Sequence, residues 1–140
     1  MLTLRQIFKR TSEDRKQRAL YVKILQMKTG HTPEGLGFVA AKTYSEYNVN
    51  AQGELVRNPS KTRYISQITF IDRKLHCHVS CSCDDNLFRW EYANTHRNAS
   101  EIEYSNGEPP IDTNPGFKPG LCKHLAALYL KIQPKLPSGY

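Results

Sequence analysis

The chain has 140 residues, of which 39% are hydrophobic, so it can support one compact domain with short appendages. Its formal net charge is +7, which is unevenly held: residues 1–75 have a net charge of +8 and residues 76–140 a net charge of −1. No apolar stretch approaches the roughly 20 residues of a membrane span, and no internal repeat or low-complexity tract is present. We therefore expect neither a membrane protein nor a repeat protein.

The first 18 residues differ in character from the rest of the chain. Leu4, Ile7 and Phe8 form an apolar stripe at helical spacing, and the segment 12–18 that follows is almost wholly charged. Two interpretations fit: a surface helix docked by three side chains and followed by a solvated connector, or an arm that reaches a neighbouring subunit. We favour the docked helix because runs of charge are usually solvated.

The segment 19–75 has the pattern of an antiparallel sheet. Apolar and β-branched residues predict strands at 19–27, closed by Thr29-Gly30, and at 37–47, with a loop or projecting hairpin at 50–60. The clearest strand pair is 63–71 and 73–83, joined around Asp72. We therefore expect three to five antiparallel strands and, with the flanking helices, an α+β fold.

The last predicted strand ends in Cys81-Ser82-Cys83. Side chains two residues apart on an extended strand point to the same face, so Cys81 and Cys83 can reach one metal ion while Ser82 faces away. This half of a candidate metal site therefore belongs to a strand end.

The other half is Cys122-Lys123-His124. Residues two apart inside a regular helix diverge by roughly 200°, so Cys122 and His124 must straddle a helix start. Pro119-Gly120 breaks the preceding structure, and prolines at 134 and 137 end the helix. Four apolar positions at helical spacing predict the helix itself: Leu125, Leu128, Tyr129 and Ile132.

The two halves together supply the four donors of a tetrahedral zinc ion, and such a closed set leaves no position for water. The sequence thus predicts one structural Zn²⁺, held by Cys81, Cys83, Cys122 and His124. Two disulfides are a weaker alternative, since we expect no signal peptide at Met1–Leu4 and the chain is large for a cysteine scaffold.

Cys77 is the odd thiol. It lies roughly 13 Å along the strand from Cys81, too far to share one zinc ion, so we interpret it as a small buried hydrophobic residue. His76 and His78 alternate onto the opposite strand face, where we expect them to meet solvent or an interface rather than to bind metal. A second metal site there is a remote alternative.

Residues 84–121, between the two halves, are expected to be ordered as a short helix or turn, a strand and a pinned loop. Asp84 and Asp85 are expected to support the ligands or to form a turn. A polar break is predicted at 94–98, and a pinned loop at 109–120 from its prolines and glycines. An apolar cluster precedes the break, and a strand-like piece with a turn pair follows it: Leu87, Phe88, Trp90, Tyr92 and Ala93, then Ile102, Tyr104 and Asn106-Gly107.

Cys-x-Cys at a strand end followed by Cys-x-His at a helix start resembles the SWIM-type zinc finger. The resemblance implies a small ββα module in which Cys81, Cys83, Cys122 and His124 bind zinc. The chain departs from that family in the length of the insert at 84–121. With this resemblance, the α+β fold is expected to end in a ββα finger with a long insert, preceded by a short N-terminal helix or arm.

A longer resemblance covers roughly the C-terminal half. The stretches 81–92, 104–110, 113–116 and 119–125 resemble small SWIM-finger proteins encoded by tailed bacteriophages. The resemblance implies assembly in a reducing host cytoplasm, where cysteines are kept for metal. Within one compact domain we expect an N-terminal helix or arm at 1–18, a β part at 19–75, the finger at 76–133 and a tail at 134–140.

An enzyme is the least supported class, because a four-ligand metal has no open position and no catalytic motif is present. The expected function is a non-catalytic structural or adaptor protein, a virion component that contacts other virion proteins or copies of itself. The alternative is a nucleic-acid-binding accessory protein. Its non-specific contacts would come from basic N-terminal residues: Arg5, Lys9, Arg10, Arg15, Lys16 and Arg18.

Overall fold

The computed structural model describes residues 2–86, 90–101, 114, 116 and 118–136, with the side chain of Tyr92 left out. The helices are α1 (Leu4–Arg10), α2 (Glu13–Arg18), α3 (Glu91–His96) and α4 (Lys123–Ile132). The strands are β1 (Val22–His31), β2 (Gly37–Ser45), β3 (Tyr47–Val49), β4 (Leu55–Arg57), β5 (Tyr64–Phe70) and β6 (Cys77–Cys81). Short 3-10 turns cover Ala19–Tyr21 and Gln133–Lys135.

The predicted α+β fold is confirmed. An antiparallel sheet contains four strands in the order β1-β2-β5-β6, and β3 pairs with β4 in a separate hairpin, which is the projecting hairpin expected around 50–60. The turn between β5 and β6 is built on Asp72, whose carboxylate accepts hydrogen bonds from the backbone N–H groups of Lys74 (2.9 Å) and His76 (3.2 Å). No helix among the described residues combines the length and the apolarity needed to cross a bilayer.

The core lies between one face of the sheet and α4. On β6 the buried side chains are Cys77, Val79 and Cys81, which alternate with half-buried residues. Leu125 and Leu128 of α4 are fully buried against this face, and each such side chain contributes roughly 1.5–3 kcal/mol by leaving water. The predicted helix is therefore present, with its apolar positions turned inward.

The N-terminal segment is docked on its own chain. Leu4 and Ile7 of α1 are buried in the core, and the Phe8 ring packs against Tyr129 with centroids 4.6 Å apart. Before α1 begins, the Leu2 carbonyl accepts a hydrogen bond from the Cys77 N–H (2.9 Å), so the chain start covers part of the outer edge of β6. These contacts are those of a docked helix.

The connector predicted at 12–18 has no buried residue, as expected of a solvated segment, but residues 13–18 of it are helical and form α2. Ser12 caps the helix through its hydroxyl, which accepts from the Arg15 N–H (3.4 Å). Glu13 and Asp14 lie in the first turn and the cations in the last, an order that the helix dipole favours. The run of charges therefore stabilises a short helix.

The first strand begins and ends later than predicted. Residues 19–21 form a 3-10 turn, and β1 continues through Thr29-Gly30 to His31. Gly30 pairs with Phe38, and a Cβ on it would lie 3.1 Å from that ring, so the glycine makes room for an aromatic side chain. The chain reverses further on, at Gly35, where φ is +86°.

The short helix expected in the insert is present as α3, but it extends into the polar break predicted at 94–98. Residues 94–96 belong to α3, and the Asn94 side chain is fully buried. Trp90 and Ala93 are buried, as expected for the apolar cluster. The rest of that cluster at 87–88, the strand-like piece and the turn pair within 102–113, and the residues 137–140 of the tail lie outside the described residues.

Candidate metal centre

Cys81, Cys83, Cys122 and His124 converge in one buried cluster, in which one potential ligand atom from each residue lies within 4.8 Å of the others. None of the four residues is more than 3% exposed. All four cysteines of the chain are free thiols, so the alternative of two disulfides is wrong. The residues that were expected to bind one metal ion are therefore assembled.

A strand end and a tight turn position the first two ligands. Cys81 is the last residue of β6 and pairs with Ser66 of β5 on the buried face of the sheet. Beyond Cys83 the chain turns, so that the Asn86 N–H points at the Cys83 sulfur (3.4 Å) and the Asn86 amide donates to the Cys81 carbonyl (2.8 Å). One buried asparagine thus holds both cysteines.

The start of α4 positions the other two ligands. Cys122 is the N-cap residue in an extended conformation, and His124 is the second residue of the helix. No side chain among the described residues caps this helix start. The positive end of the helix dipole favours negative charge at Cys122, but burial and the neighbouring sulfurs oppose it.

Hydroxyl groups of β2 and β5 support the cluster from behind. The Ser66 hydroxyl lies 3.3 Å from the Cys81 sulfur and 3.2 Å from the Thr43 hydroxyl. The Ser45 hydroxyl lies 3.4 Å from Nε2 of His124. All three hydroxyl-bearing residues are buried, and such partners fix the orientation of metal ligands.

His124 shows that the cluster fits a metal ion. With Nε2 facing Ser45, the other ring nitrogen, Nδ1, is buried with no hydrogen-bond partner among the described residues. A buried polar atom without a partner costs roughly 1–3 kcal/mol. A cation bound between the three sulfurs would satisfy it.

The pKa values of the thiols point the same way. Burial opposes ionisation of Cys81, but hydrogen bonds from Cys122, Cys83 and Ser66 lower its pKa well below the ordinary value. Burial, together with the neighbouring sulfurs of Cys81 and Cys83, raises the pKa of Cys122 well above it. Three adjacent thiolates need a cation, because like charges in a buried site oppose one another.

Three further contacts hold the approach to Cys122 in place. The Asn94 amide donates to the Gly120 carbonyl (2.8 Å) and accepts from the Gly120 N–H (3.0 Å). A Cβ on Gly120 would lie 2.8 Å from the Trp90 ring, so only glycine allows this packing. The Thr11 hydroxyl, at the end of α1, accepts from the Leu121 N–H (3.0 Å).

Asp85 connects the site to the N-terminal helices. Its carboxylate accepts two hydrogen bonds from the Arg15 guanidinium, at 2.8 and 2.9 Å, and one from the Trp90 indole N–H at 3.0 Å. Asp85 was expected to support the ligands or to form a turn, and the structure gives its carboxylate a specific partner, Arg15 of α2.

The remaining candidates lie away from the cluster. Cys77 is fully buried, and burial raises its pKa to about 12, so it is the buried apolar residue expected. His76 pairs with Asp72 (2.6 Å), and His78 is half-buried on the other sheet face. Neither histidine belongs to the group of residues that could hold a metal ion.

Sequence reasoning missed the residues behind the ligands: Thr43, Ser45, Ser66 and Asn86. Their only local signal is the alternation of small polar residues with larger ones on β2 and β5. That alternation predicts a shared face but not the strand order that brings this face to the metal centre.

Comparison with protein-family models, with curated proteins and with solved structures finds no match to this chain. The resemblance to SWIM-type fingers therefore depends on the cysteine and histidine pattern. What the structure adds is a buried Cys3His cluster able to hold a metal ion, at the junction of β6 and α4.

Proposed function

We propose that this protein is a non-catalytic, zinc-stabilised adaptor with a SWIM-type centre. The observation that carries the proposal is the composition of the cluster: three sulfurs and one imidazole nitrogen, all buried and all from the chain. Such a set completes the tetrahedron that zinc prefers and leaves no site for a reacting water. The role of the ion is then to hold the fold.

The position of the cluster supports a structural role. The ion would join the end of β6 to the start of α4 and so close the chain across residues 84–121. A clip that closes a long loop removes more entropy from the unfolded chain than one that closes a short loop. The free energy of metal binding would thus contribute directly to folding.

Exposed apolar side chains on β1 and in the 3-10 turn before it support contacts with other proteins. Leu20 is 71% exposed, and Leu25 and Met27 are 39% and 41% exposed. In the described part of the chain β1 pairs with β2 alone, so its other edge presents free backbone groups. A partner that adds a strand there would cover both the edge and the apolar residues.

The resemblance to small phage-encoded proteins suggests what that partner is. We propose a virion component of a tailed bacteriophage, in which β1 contacts other virion proteins or further copies of this chain. Mass spectrometry of purified particles tests the proposal. Stoichiometric recovery with the particle is expected, whereas recovery only in the unassembled fraction would overturn it.

Substitutions of the exposed apolar residues test the docking surface separately. Leu20→Asp and Met27→Asp should abolish co-purification with particles, while leaving thermal unfolding nearly unchanged because both side chains are exposed. Leu130→Asp, which alters an equally exposed residue on α4, is the matched control and should leave particle association intact.

The ion pairs of α2 count against the alternative function, non-specific binding of nucleic acid through the basic N-terminal residues. In α2, Arg15 pairs with Asp85 and Asp14, Lys16 with Glu13, and Arg18 with Asp14. These cations are already neutralised by acids of the same chain, which leaves the three cations of α1 as the basic surface of this segment.

A further inference from the structure

The sheet face opposite α4 has a different composition from the core face. Because paired residues share a face, the register β1–β2–β5 places Lys28 with Ala40, and Gln26 with Lys42 and Ile65. Lys23 and Tyr44 pair further along on the same face. These residues are exposed or half-buried, so they form a second surface of the molecule.

The strongest concentration of charge on this face lies at one end. Arg63 enters β5 with its guanidinium 5.6 Å from the centre of the Tyr44 ring. A groove of about 630 Å³ adjoins that ring. We call the charged residues and the ring at this end, together with Lys28 further along the same face, the basic platform: Lys28, Lys42, Tyr44, Lys61 and Arg63.

No ion pair within the described residues neutralises the cations of the platform. No Asp or Glu occurs in β1, β2, β5 or β6, so the described strands bring no acid to this face. Among the residues that line the groove the acid is Glu46, which already pairs with Lys23 (3.3 Å) and Arg57 (3.7 Å). By contrast, no ion pair is found for Lys28, Lys42, Lys61 or Arg63 in the described part of the chain.

We propose that the basic platform binds single-stranded nucleic acid. Its cations are spread over neighbouring strands, as a phosphate backbone crossing the sheet requires. The Tyr44 ring and the Arg63 guanidinium are two planar groups 5.6 Å apart, here called the planar pair, and unpaired bases stack on both kinds of group. An acidic protein would satisfy the charges but would make no use of the planar pair.

Single strands are favoured over duplex by the same pair. Bases in a duplex are already stacked and paired, so only unpaired bases can stack on a ring at the face of a sheet. The platform uses no metal ligand and none of the exposed apolar residues proposed to meet a protein partner, Leu20, Leu25 and Met27, although Lys28 belongs to β1. The inference therefore stands apart from the proposed adaptor role, and either can fail without the other.

Fluorescence anisotropy with a labelled oligothymidylate of about 15 nucleotides, a length that covers a typical single-strand site, tests the inference on the full zinc-loaded chain. The logarithm of the affinity should fall linearly with the logarithm of salt concentration, as counterions are released from phosphates. Replacing two platform cations, Lys42→Gln with Arg63→Gln, should weaken binding about tenfold or more and flatten that slope.

A matched pair on α1, Lys9→Gln with Arg10→Gln, removes the same charge from the other basic surface and should change the affinity less than twofold. Tyr44→Ala should weaken binding about tenfold, whereas Tyr44→Phe, which keeps the ring, should retain it. Thermal unfolding of each variant shows that the fold is intact before binding is compared.

Three outcomes would overturn the inference. The first is no binding at low salt, and the second is an equal loss for the α1 pair and the platform pair. The third is displacement of the oligonucleotide by polyglutamate or by duplex as effectively as by unlabelled single strand. That result would show a surface for acidic polymers in general, on which the planar pair plays no part.

Discussion

The two edge strands of the sheet, β6 and β1, are stabilised in different ways, and we call their surroundings the β6 side and the β1 side. On the β6 side, alternate residues are buried, and the outer edge is covered where Cys77 and Val79 donate to the carbonyls of Leu2 (2.9 Å) and Ala99 (2.8 Å). On the β1 side most residues are exposed, and the described part of the chain covers no outer edge. The difference suggests that the metal centre and α4 hold the fold while the β1 side remains free to bind.

Removal of the metal should have the largest effect. His124→Ala or Cys83→Ser, or a chelator added to the unchanged chain, should destabilise the β6 side by up to roughly 10 kcal/mol, the order found for structural zinc in small fingers. Cooperative thermal unfolding monitored by circular dichroism would then be lost. His78→Ala and Cys77→Ser alter the same residue types outside the cluster and serve as controls.

An unchanged melting temperature after complete chelation would contradict this expectation. It would mean that the core between α4 and the sheet is sufficient by itself, and the contrast between the two sides would no longer depend on the metal.

Gly120→Ala should damage the β6 side through packing alone. The new Cβ would lie 2.8 Å from the Trp90 ring, and forcing an extra methyl into a packed site costs about 1–3 kcal/mol. Urea unfolding of the zinc-loaded protein measures the change. Gly37→Ala, at the start of β2, is the control. Its Cβ would meet no atom within 4 Å, so the free energy of unfolding should change only by the small difference in strand propensity between glycine and alanine.

The buried thiol on β6 predicts a pH dependence. Burial raises the pKa of Cys77 to about 12 from an ordinary 9.0, so the unfolded chain ionises first as pH rises. The stability that Cys77 contributes is therefore complete below about pH 9 and is lost as pH rises towards about pH 12. Between about pH 8 and about pH 11 the unchanged protein should lose about 2 kcal/mol more than Cys77→Ala.

Denaturant unfolding at several alkaline pH values checks this difference, since the other titrating groups are common to both proteins. Equal pH slopes for the two would show that the thiol is as accessible to hydroxide in the folded state as in the unfolded chain.

Asp85→Asn should have a smaller effect, because the carboxylate and Arg15 are partly exposed, at 27% and 19% of their side chains. Loss of the paired hydrogen bonds should cost about 1 kcal/mol in urea unfolding. The adjacent Asp84→Asn makes the same charge change at an exposed residue and should cost less. Equal effects would mean that α2 is not anchored to the metal side through this pair.

The smallest effect is expected in the β3–β4 hairpin. All three residues of β4 are exposed, and Leu55 is 45% exposed, so Leu55→Ala should change the free energy of unfolding by no more than about 0.5 kcal/mol. A loss several times larger in urea unfolding would show that the open side also contributes to the core.

Local rules were sufficient for the ligands. The two-residue repeat of a strand predicted that Cys81 and Cys83 share a face, and the divergence of residues inside a helix placed Cys122 at the start of α4. Both arguments use only neighbouring residues, which is why they hold without knowledge of the tertiary structure. The α4 helix was predicted in the same way, from its apolar period.

Contacts between distant segments could not be predicted. Ser45 lies 79 residues from His124, and Arg15 lies 70 residues from Asp85, so nothing in the local pattern connects them. Asn94 was expected in a polar break because its partner, the backbone of Gly120, cannot be recognised from composition. In α2 the local signals were present, but the Ser12 cap was outweighed by the run of charges.

X-ray absorption at the zinc edge tests the central claim most directly. The purified protein should contain one zinc ion per chain, with three sulfur neighbours at about 2.3 Å and one nitrogen at about 2.0 Å. The cluster of Cys81, Cys83, Cys122 and His124 requires this shell, and His124→Ala should remove its nitrogen. Oxygen ligands in the shell, or a metal-free protein with intact cooperative unfolding, would contradict the account.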